Sequence, residues 1–473
     1  MIKTMCERLA VPTAVLAVFL LSTWTGYAQG ATYYVRAGAT GAQNGANWTD
    51  AFVRLPTTMV RDATYYVADG DYNGAITFNT PNSGTAYIYI KKATISAHGT
   101  NAGWDNTFGD GVANFVGTWT ITTSYWDFDG VTGGGPGSGP TDWPTSWKTG
   151  HGFTHTVSSG GNSFELASTS GRTNVNWRHM KIVNQTPVSF TGTNAGNIWH
   201  MEVSGTNNLS NVIIEYCYTP AFQGVPLHVK GGNDWLIQYT RFDGNGIGND
   251  SNVHRETWSG INNDRFVWRW NYMLNQNNSA VLAFVNEGNA SEAVEIYGNI
   301  FDNDSNGQSA GRFLDADPNI ASNWKVFNNT LVGWDDGCPC VVLIGGTAIS
   351  RNNILANHPA HYYGPGWDGV KSHNAVYNLI RQGTGDVTAS WATTMGSNVQ
   401  TFSSDPFVNY ANRDLRLKAP TSAGSSADSP TGNAVDMFGN ARGADGVWDR
   451  GALEFGGIAA SPPAAPSNLR VLP

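Results

Sequence analysis

Charged residues are scarce in this sequence: they make up 13% of its 473 residues, and the formal net charge is −9. A chain with so few basic residues lacks the positive surface that nucleic-acid binding requires, so we expect no nucleic-acid partner. Only four cysteines occur, which excludes a small disulfide-rich scaffold. No apolar run reaches the roughly 20 residues of a membrane-spanning helix, so we expect no membrane insertion.

The N-terminal region has the form of a secretory signal. Lys3 and Arg8 precede an apolar run over residues 9–21, and small residues follow up to Ala31. This order predicts a signal peptide over residues 1–30. We therefore expect a secreted, periplasmic or cell-surface protein, and we expect it to be a monomer.

The C-terminal region and the remaining cysteines carry weaker patterns. Residues 458–473 are rich in Pro and Ala, which predicts a tail or linker. Cys338 and Cys340 form a Cys-Pro-Cys pair. We interpret this pair as a local disulfide or two free thiols rather than a metal site, which needs further ligands at matching spacing.

Glycine is abundant, and segments of alternating apolar and polar residues recur every 23 to 31 residues. These segments are Val212–Cys217, Trp235–Thr240, Phe266–Asn271, Val294–Asn299, Trp324–Asn329 and Ala348–Asn353. Alternation of this kind predicts a strand with one buried face, and a near-constant period predicts stacked coils. The sequence therefore predicts an all-β, single-domain, single-stranded right-handed parallel β-helix over residues 31–457.

The last position of each repeat is polar or small, and most often asparagine. Asn271, Asn299, Asn329 and Asn353 hold this position, and Asn378 is expected to continue the series. Stacked side-chain amides can bond to each other and to the turn backbone, which satisfies polar groups that would otherwise be buried without partners. We interpret these asparagines as structural.

Both ends of the predicted domain resemble a known group. Residues 31–38 (ATYYVRAG) and 45–52 (GANWTDAF) resemble the N-terminal motif of secreted right-handed parallel β-helix proteins of the pectate-lyase-like superfamily, and residues 405–417 and 436–455 resemble their closing segment. The resemblance implies the same fold and an extracellular polysaccharide as partner. It does not choose a function, because this solenoid hosts lyases, hydrolases, epimerases and inert surface proteins.

Counting from the ladder positions places several polar side chains on successive coils. The predicted strands are Leu227–Lys230, Val253–Thr257, Leu282–Asn286 and Arg312–Asp315. Stacked at about 4.8 Å per coil, they would form one polar column that a polymer could follow.

Within this column, Lys230 followed one coil later by Arg255 is similar to the Lys and Arg pair of the alginate and chondroitin lyases of the superfamily. The resemblance implies β-elimination from a uronic acid, with Lys230 as base and Arg255 as acid. His254 and Glu256 are further catalytic candidates. The residues predicted to bind substrate are His228, Arg312, Trp258 and Asn286, of which Trp258 is expected in a loop with an exposed indole.

Three other readings stay open. A glycoside hydrolase needs two carboxyl groups, which Asp315 with Asp317 or Asp335 with Asp336 could supply. The solenoid could instead be a non-catalytic carbohydrate-binding or adhesive surface protein, with Lys230 and its neighbours as a solvated ion-pair face. Separately, Asp302, Asp304 and Asn306 have the D-x-D-x-N-G form of a Ca²⁺ loop, although position twelve is Phe313 rather than Glu, so an EF-hand is excluded.

Overall fold

The computed structural model describes most of the chain from residue 30 to residue 456. The described ranges are 30–137, 143–166, 171–187, 196–202, 209–244, 256–274, 280–285, 291–302, 312–316, 321–333, 340–343, 346–356, 361–363, 371–372, 374–377 and 396–456. The predicted signal peptide, apart from Gly30, and the predicted C-terminal tail lie outside these ranges and stay predictions.

Three long parallel sheets run the length of the molecule, and each coil of the chain contributes one strand to each of them in turn. Sheet 1 consists of β1 (Thr32–Val35), β2 (Thr64–Val67), β5 (Ile88–Lys92), β8 (Trp126–Asp129), β11 (Arg172–Arg178), β14 (Leu209–Glu215), β17 (Gly232–Gln238), β20 (Asp264–Arg269), β23 (Ser291–Glu292), β24 (Glu295–Tyr297), β27 (Ala321–Phe327), β30 (Gly346–Arg351) and β33 (Lys371–Ser372). Sheet 2 consists of β3 (Gly70–Asn73), β6 (Ala113–Val116), β9 (Phe153–Val157), β12 (Met180–Asn184), β15 (Tyr218–Thr219), β18 (Arg241–Asp243), β21 (Tyr272–Leu274), β25 (Ile300–Asp302), β28 (Thr330–Val332), β31 (Ile354–Ala356), β34 (Ala375–Tyr377) and β35 (Gln400–Phe402). Sheet 3 consists of β4 (Ile76–Phe78), β7 (Trp119–Ile121), β10 (Phe164–Glu165), β13 (Asn197–Glu202), β16 (Val225–Lys230), β19 (Trp258–Ile261), β22 (Ala280–Val285), β26 (Arg312–Ala316), β29 (Cys340–Leu343) and β32 (His361–Tyr363).

This topology confirms the predicted all-β, right-handed parallel β-helix. The remaining elements are short: a helical turn α1 (Trp143–Ser146), an antiparallel hairpin of β36 (Phe407–Asn409) and β37 (Asp414–Leu417), and three 3₁₀ turns. The 3₁₀ turns are Asn106–Phe108, Tyr410–Asn412 and Thr431–Ala434. In the described part of the chain no helix is long and apolar enough to cross a membrane.

Along each strand every second side chain points inward, and these side chains fill the interior of the coils. The inward tryptophans Trp177, Trp199, Trp235, Trp268 and Trp324 are at most 1% exposed, so the predicted core positions of Trp235 and Trp324 are confirmed. Stacked and edge-on ring contacts join neighbouring coils along the axis, as between Phe128 and Trp177 and between Trp119 and Phe164. Apolar burial repeated coil after coil supplies the main stabilisation of such a solenoid.

The predicted asparagine ladder lies at the turn between sheets 1 and 2. Asn271 donates its backbone N–H to Oδ1 of Asn299 (3.0 Å), and the same contact links Asn299 to Asn329 (3.1 Å) and Asn329 to Asn353 (2.9 Å). The next rung is Asn374, which accepts the backbone N–H of Asn353 at 3.0 Å. The prediction of Asn378 was therefore wrong by four positions, because the last coil is shorter than its predecessors.

A C-terminal segment, residues 405–456, covers the outer face of sheet 2. Its Phe407, Leu415 and Leu453 are buried in a second apolar cluster with Ile300 and Ile354, which point outward from sheet 2. Buried polar contacts hold the segment to the turn that precedes the ladder, where Asn328 donates Nδ2 to the carbonyl of Asp449 at 2.8 Å. This segment closes one side of the solenoid and leaves sheet 3 as the side to search for a site.

Candidate functional site

A column of polar side chains follows the outer face of sheet 3. Strand register aligns Thr77, Thr120, Glu165, His200, His228 and Ser259 on six successive coils. We call this set the polar column. At about 4.8 Å per coil it spans roughly 24 Å along the axis.

The local sequence explains why these side chains point outward. In β13, Trp199 and Met201 are fully buried while His200 and Glu202 are not, and in β16 Leu227 and Val229 are fully buried. Successive strand side chains alternate between faces, so the apolar residues anchor the strand and the intervening polar residues reach the outer surface.

Four residues of this region converge into what we call the His-Glu cluster: Glu165, His200, Glu202 and His228. Oε1 of Glu165 lies 2.7 Å from Nδ1 of His200, and Asn162 donates Nδ2 to the other oxygen of Glu165 at 2.8 Å. The hydrogen bond that Glu165 accepts from His200 raises the pKa of His200 above its usual value. Glu165 thereby fixes the orientation of the His200 ring.

Glu202 lies between the two imidazoles. Its Oε1 is 3.0 Å from Nε2 of His228 and 4.0 Å from Nε2 of His200. The two rings are stacked, with centroids 5.7 Å apart and planes inclined by 15°. One ligand atom from each of these three residues lies within 4.8 Å of the others, which is the spacing of a metal-binding group.

Lys230 borders the cluster but has a different neighbour from the one predicted. It pairs with Glu202 in the preceding coil and with Ile261 in the following coil. The predicted register, which placed Arg255 beside Lys230, is therefore wrong. The connection from sheet 2 to sheet 3 is longer before β19 than before β16, so counting from the ladder misplaced the strand.

The same shift changes two other predicted site residues. Trp258 is fully buried and begins β19 in register with the inward Leu227, and its ring packs 4.3 Å from that of Phe266. The prediction of an exposed indole that stacks on sugar is wrong. Glu256 lies two residues before β19 and is 4% exposed, so it is buried and does not belong to the polar column.

Several predicted residues cannot be placed at the site. His254, Arg255, Asn286, Asp304, Asn306, Asp317, Asp335, Asp336 and Cys338 lie outside the described residues. Arg312 and Asp315 belong to β26 of sheet 3, where they pair with Ala280 and Ala283, and their side chains are not described. Asp302 is buried at the end of β25, accepts a hydrogen bond from Oη of Tyr272 at 2.6 Å and pairs with Arg413 at 3.5 Å, so the predicted calcium loop would have to use a carboxylate that is already engaged.

Sequence reasoning missed Glu165, His200 and Glu202. A signal was present, because residues 197–202 (NIWHME) repeat the alternation of residues 225–230 (VPLHVK) with a histidine at the same place. Aligning the two segments would have paired His200 with His228, as the register does.

Sheet 1 also carries a charged column, but it is buried. Arg178 binds Glu215 at 2.7 Å, Gln238 donates to Glu215 at 2.6 Å, and Arg269 donates to Gln238 at 2.8 Å. Glu215 and Gln238 are almost completely inaccessible to solvent. The acceptors at the centre of this network are buried and engaged by its own members, so we interpret it as structural. In the His-Glu cluster all four side chains, carboxylates included, are at least one-fifth exposed.

Comparison with known proteins adds no assignment: no protein-family model matches the chain, and no curated protein is significantly similar to it in sequence.

Proposed function

We propose that this protein is an exported polysaccharide-active protein, similar to members of the pectate-lyase-like superfamily, and that it cleaves a uronic-acid-containing polysaccharide along the polar column of sheet 3. The observation that carries the proposal is the continuity of the column over six coils, with Lys230 on the fifth of them. A cleft lined by Arg54, Thr57, Thr77 and Asn79 lies at the N-terminal end of the same column and extends it.

In the proposed reaction Lys230 is the base. Its amine takes the C5 proton of the uronate, the electron pair forms the C4–C5 double bond, and the C4–O bond breaks so that the glycosidic oxygen leaves and takes a proton from solvent water. Lys can do this only when its pKa is lowered, and the developing enolate must be stabilised by positive charge or hydrogen-bond donors. The imidazoles of His200 and His228 are the nearest candidates for holding the substrate carboxylate.

A second candidate function is non-catalytic carbohydrate binding. It is favoured by the internal pairing of the cluster, in which Glu165 contacts His200 and Glu202 contacts His228. A surface of paired charges can bind a polymer by hydrogen bonds and ring contacts without reacting with it. The Lys230 neighbour in the next coil is an isoleucine, which also fits this reading.

An activity assay separates these functions. The purified protein is incubated with alginate, pectate and glycosaminoglycans while the ultraviolet absorbance of an unsaturated uronate is followed and new reducing ends are counted. Rising absorbance in step with reducing ends supports elimination. New reducing ends without absorbance indicate a hydrolase, and polymer retention on the protein with neither signal indicates a binding protein.

A further inference from the structure

The His-Glu cluster has the composition and spacing of a transition-metal centre. Its three ligands are His200, Glu202 and His228, each of which offers one ligand atom within 4.8 Å of the other two. Two imidazoles and one carboxylate are a ligand set that zinc sites with an open coordination position use. Calcium and magnesium favour all-oxygen sites, so the ligand types select against them.

Two of the three ligand separations lie near the value for tetrahedral coordination. Ligand atoms about 2.0–2.1 Å from a tetrahedral zinc ion are about 3.3 Å from each other. In the cluster the separations from Glu202 Oε1 to the two Nε2 atoms are 3.0 Å and 4.0 Å, which bracket this value. The whole set lies within 4.8 Å, so the side chains have to rotate toward each other before one ion contacts all three.

A second layer of contacts already orients the first ligand. Glu165 accepts the proton of His200 Nδ1 at 2.7 Å and is itself held by Asn162 at 2.8 Å. A histidine that donates one ring nitrogen to a carboxylate presents the lone pair of its other nitrogen, and such carboxylate–histidine pairs accompany most histidine ligands of zinc. In the cluster Nε2 of His200 lies 4.0 Å from Oε1 of Glu202, and a cation bound by both atoms would stabilise this arrangement.

The scaffold holds the three ligands in place. His200 and Glu202 stand two positions apart on β13, and His228 is the register partner of His200 on β16. Met201, which separates His200 from Glu202, and Val229, which follows His228, are both buried in the core. Ligands on paired strands of a packed solenoid lose little freedom when they bind an ion.

We propose that His200, Glu202 and His228 bind one divalent transition-metal ion of the zinc class on the outer face of sheet 3, beside Lys230. Glu165 is a positioning residue of this centre. The inference goes beyond the proposed reaction and does not rest on it, since the site follows from the ligand geometry alone.

The test is metal binding by the untagged protein after treatment with a chelator. Titration with Zn²⁺ in a calorimeter is expected to give one tight site per chain, and Co²⁺ is expected to give the visible absorption of a tetrahedral centre with nitrogen and oxygen ligands. Excess Ca²⁺ should compete with neither ion. His200→Ala, His228→Gln and Glu202→Gln should each abolish the cobalt spectrum, and Glu165→Gln should weaken binding by about 10- to 100-fold.

Two controls keep the test decisive. His98→Ala removes a half-buried histidine that stacks on Trp104, away from the cluster, and should leave binding unchanged, with circular dichroism confirming that every variant is folded. The double change Cys338→Ser with Cys340→Ser tests a rival thiolate site, whose Co²⁺ complex would show sulfur charge-transfer absorption. Absence of a stoichiometric site, binding that survives His228→Gln, or binding lost in the cysteine variant would overturn the proposal.

Discussion

At the scale of single residues, the asparagine ladder carries the clearest energetic argument. Asn329 donates Nδ2 to the carbonyl of Ile296 and to Oδ1 of Asn353, and its own Oδ1 accepts from the backbone and side chain of Asn299. All these groups are buried. Removing the amide leaves several of them without partners, and each such group costs about 1–3 kcal/mol.

We therefore expect Asn329→Ala to lower the free energy of unfolding by about 3 kcal/mol or more. The measurement is the midpoint of urea denaturation. Asn79→Ala, at an exposed asparagine, is the matched control and should change stability by no more than about 0.5 kcal/mol. Equal effects of the two changes would show that the ladder is not a source of stability.

A buried histidine makes stability depend on pH. His155 points into the coil between Trp119 and Phe164, and burial lowers its pKa to about 3. In the unfolded chain the ring takes up a proton below about pH 6.5, whereas in the folded protein it stays neutral. The unfolded state then binds more protons, so this contribution to stability is present above pH 6.5 and is lost as the pH falls toward 3.

The prediction concerns the change in the free energy of unfolding between pH 7.5 and pH 5. His155→Leu should reduce the loss of stability over this interval by about 2 kcal/mol, measured by urea denaturation at both values. Some slope remains in the variant, because burial also lowers the pKa of His151 to about 3. Phe164→Leu changes the same packing without removing a titrating group, so it should lower the free energy of unfolding equally at pH 7.5 and at pH 5. If His155→Leu keeps the pH dependence of the wild-type protein, His155 is not its source.

At the scale of elements, strand positions were predictable and register across long connections was not. The alternation in segments such as Trp235–Thr240 identified the buried faces correctly, because inward positions of a solenoid must be apolar. Trp258 and Arg255 were misplaced because a longer connection precedes β19, and loop length varies freely on the surface of a β-helix. Nothing in the local sequence reports where such a loop returns to the sheet.

The buried Arg450 is one of the contacts that hold the C-terminal segment to the coils. Arg450 donates to the backbone carbonyls of Ser422, Asn374 and Ala423 at 3.0, 2.7 and 3.1 Å, and so ties residues 405–456 to the last ladder rung. Burial lowers its pKa to about 10, which leaves it charged near neutral pH. Loss of these bonds should allow the segment to detach locally while the coils stay folded.

We expect Arg450→Met to increase the rate of thermolysin cleavage within residues 396–456 by about tenfold, since proteolysis tracks the population of the opened state. Arg416→Met, at an exposed arginine of the same segment that pairs only locally with Asp414, should leave the rate unchanged. The measurement is the time course of fragments by mass spectrometry. Uniform degradation of the whole chain in Arg450→Met would instead indicate that the segment and the coils unfold together.

At the scale of the whole molecule, the solenoid converts sequence spacing into a long one-sided surface. The repeat predicted the architecture, since only stacking of coils buries so many short apolar segments in a chain of this length. The site was predicted in part: His228 and Lys230 belong to it, while Glu165, His200 and Glu202 emerge only when the coils are aligned in register. The residues of a site on a β-helix come from coils that are distant in sequence, so no local sequence motif identifies the site.

We propose that this protein acts on an acidic polysaccharide at the outer face of sheet 3, around Lys230. The most direct measurement compares the rate of unsaturated-uronate formation by Lys230→Ala and by Lys325→Ala, a lysine on the outer face of sheet 1 that pairs with Glu295. Lys230→Ala should lose activity by a factor of about 100 or more, the contribution of a positioned base, while Lys325→Ala keeps the wild-type rate. Equal activity of the two variants, or no product from the unaltered protein on any acidic polysaccharide, would contradict the account.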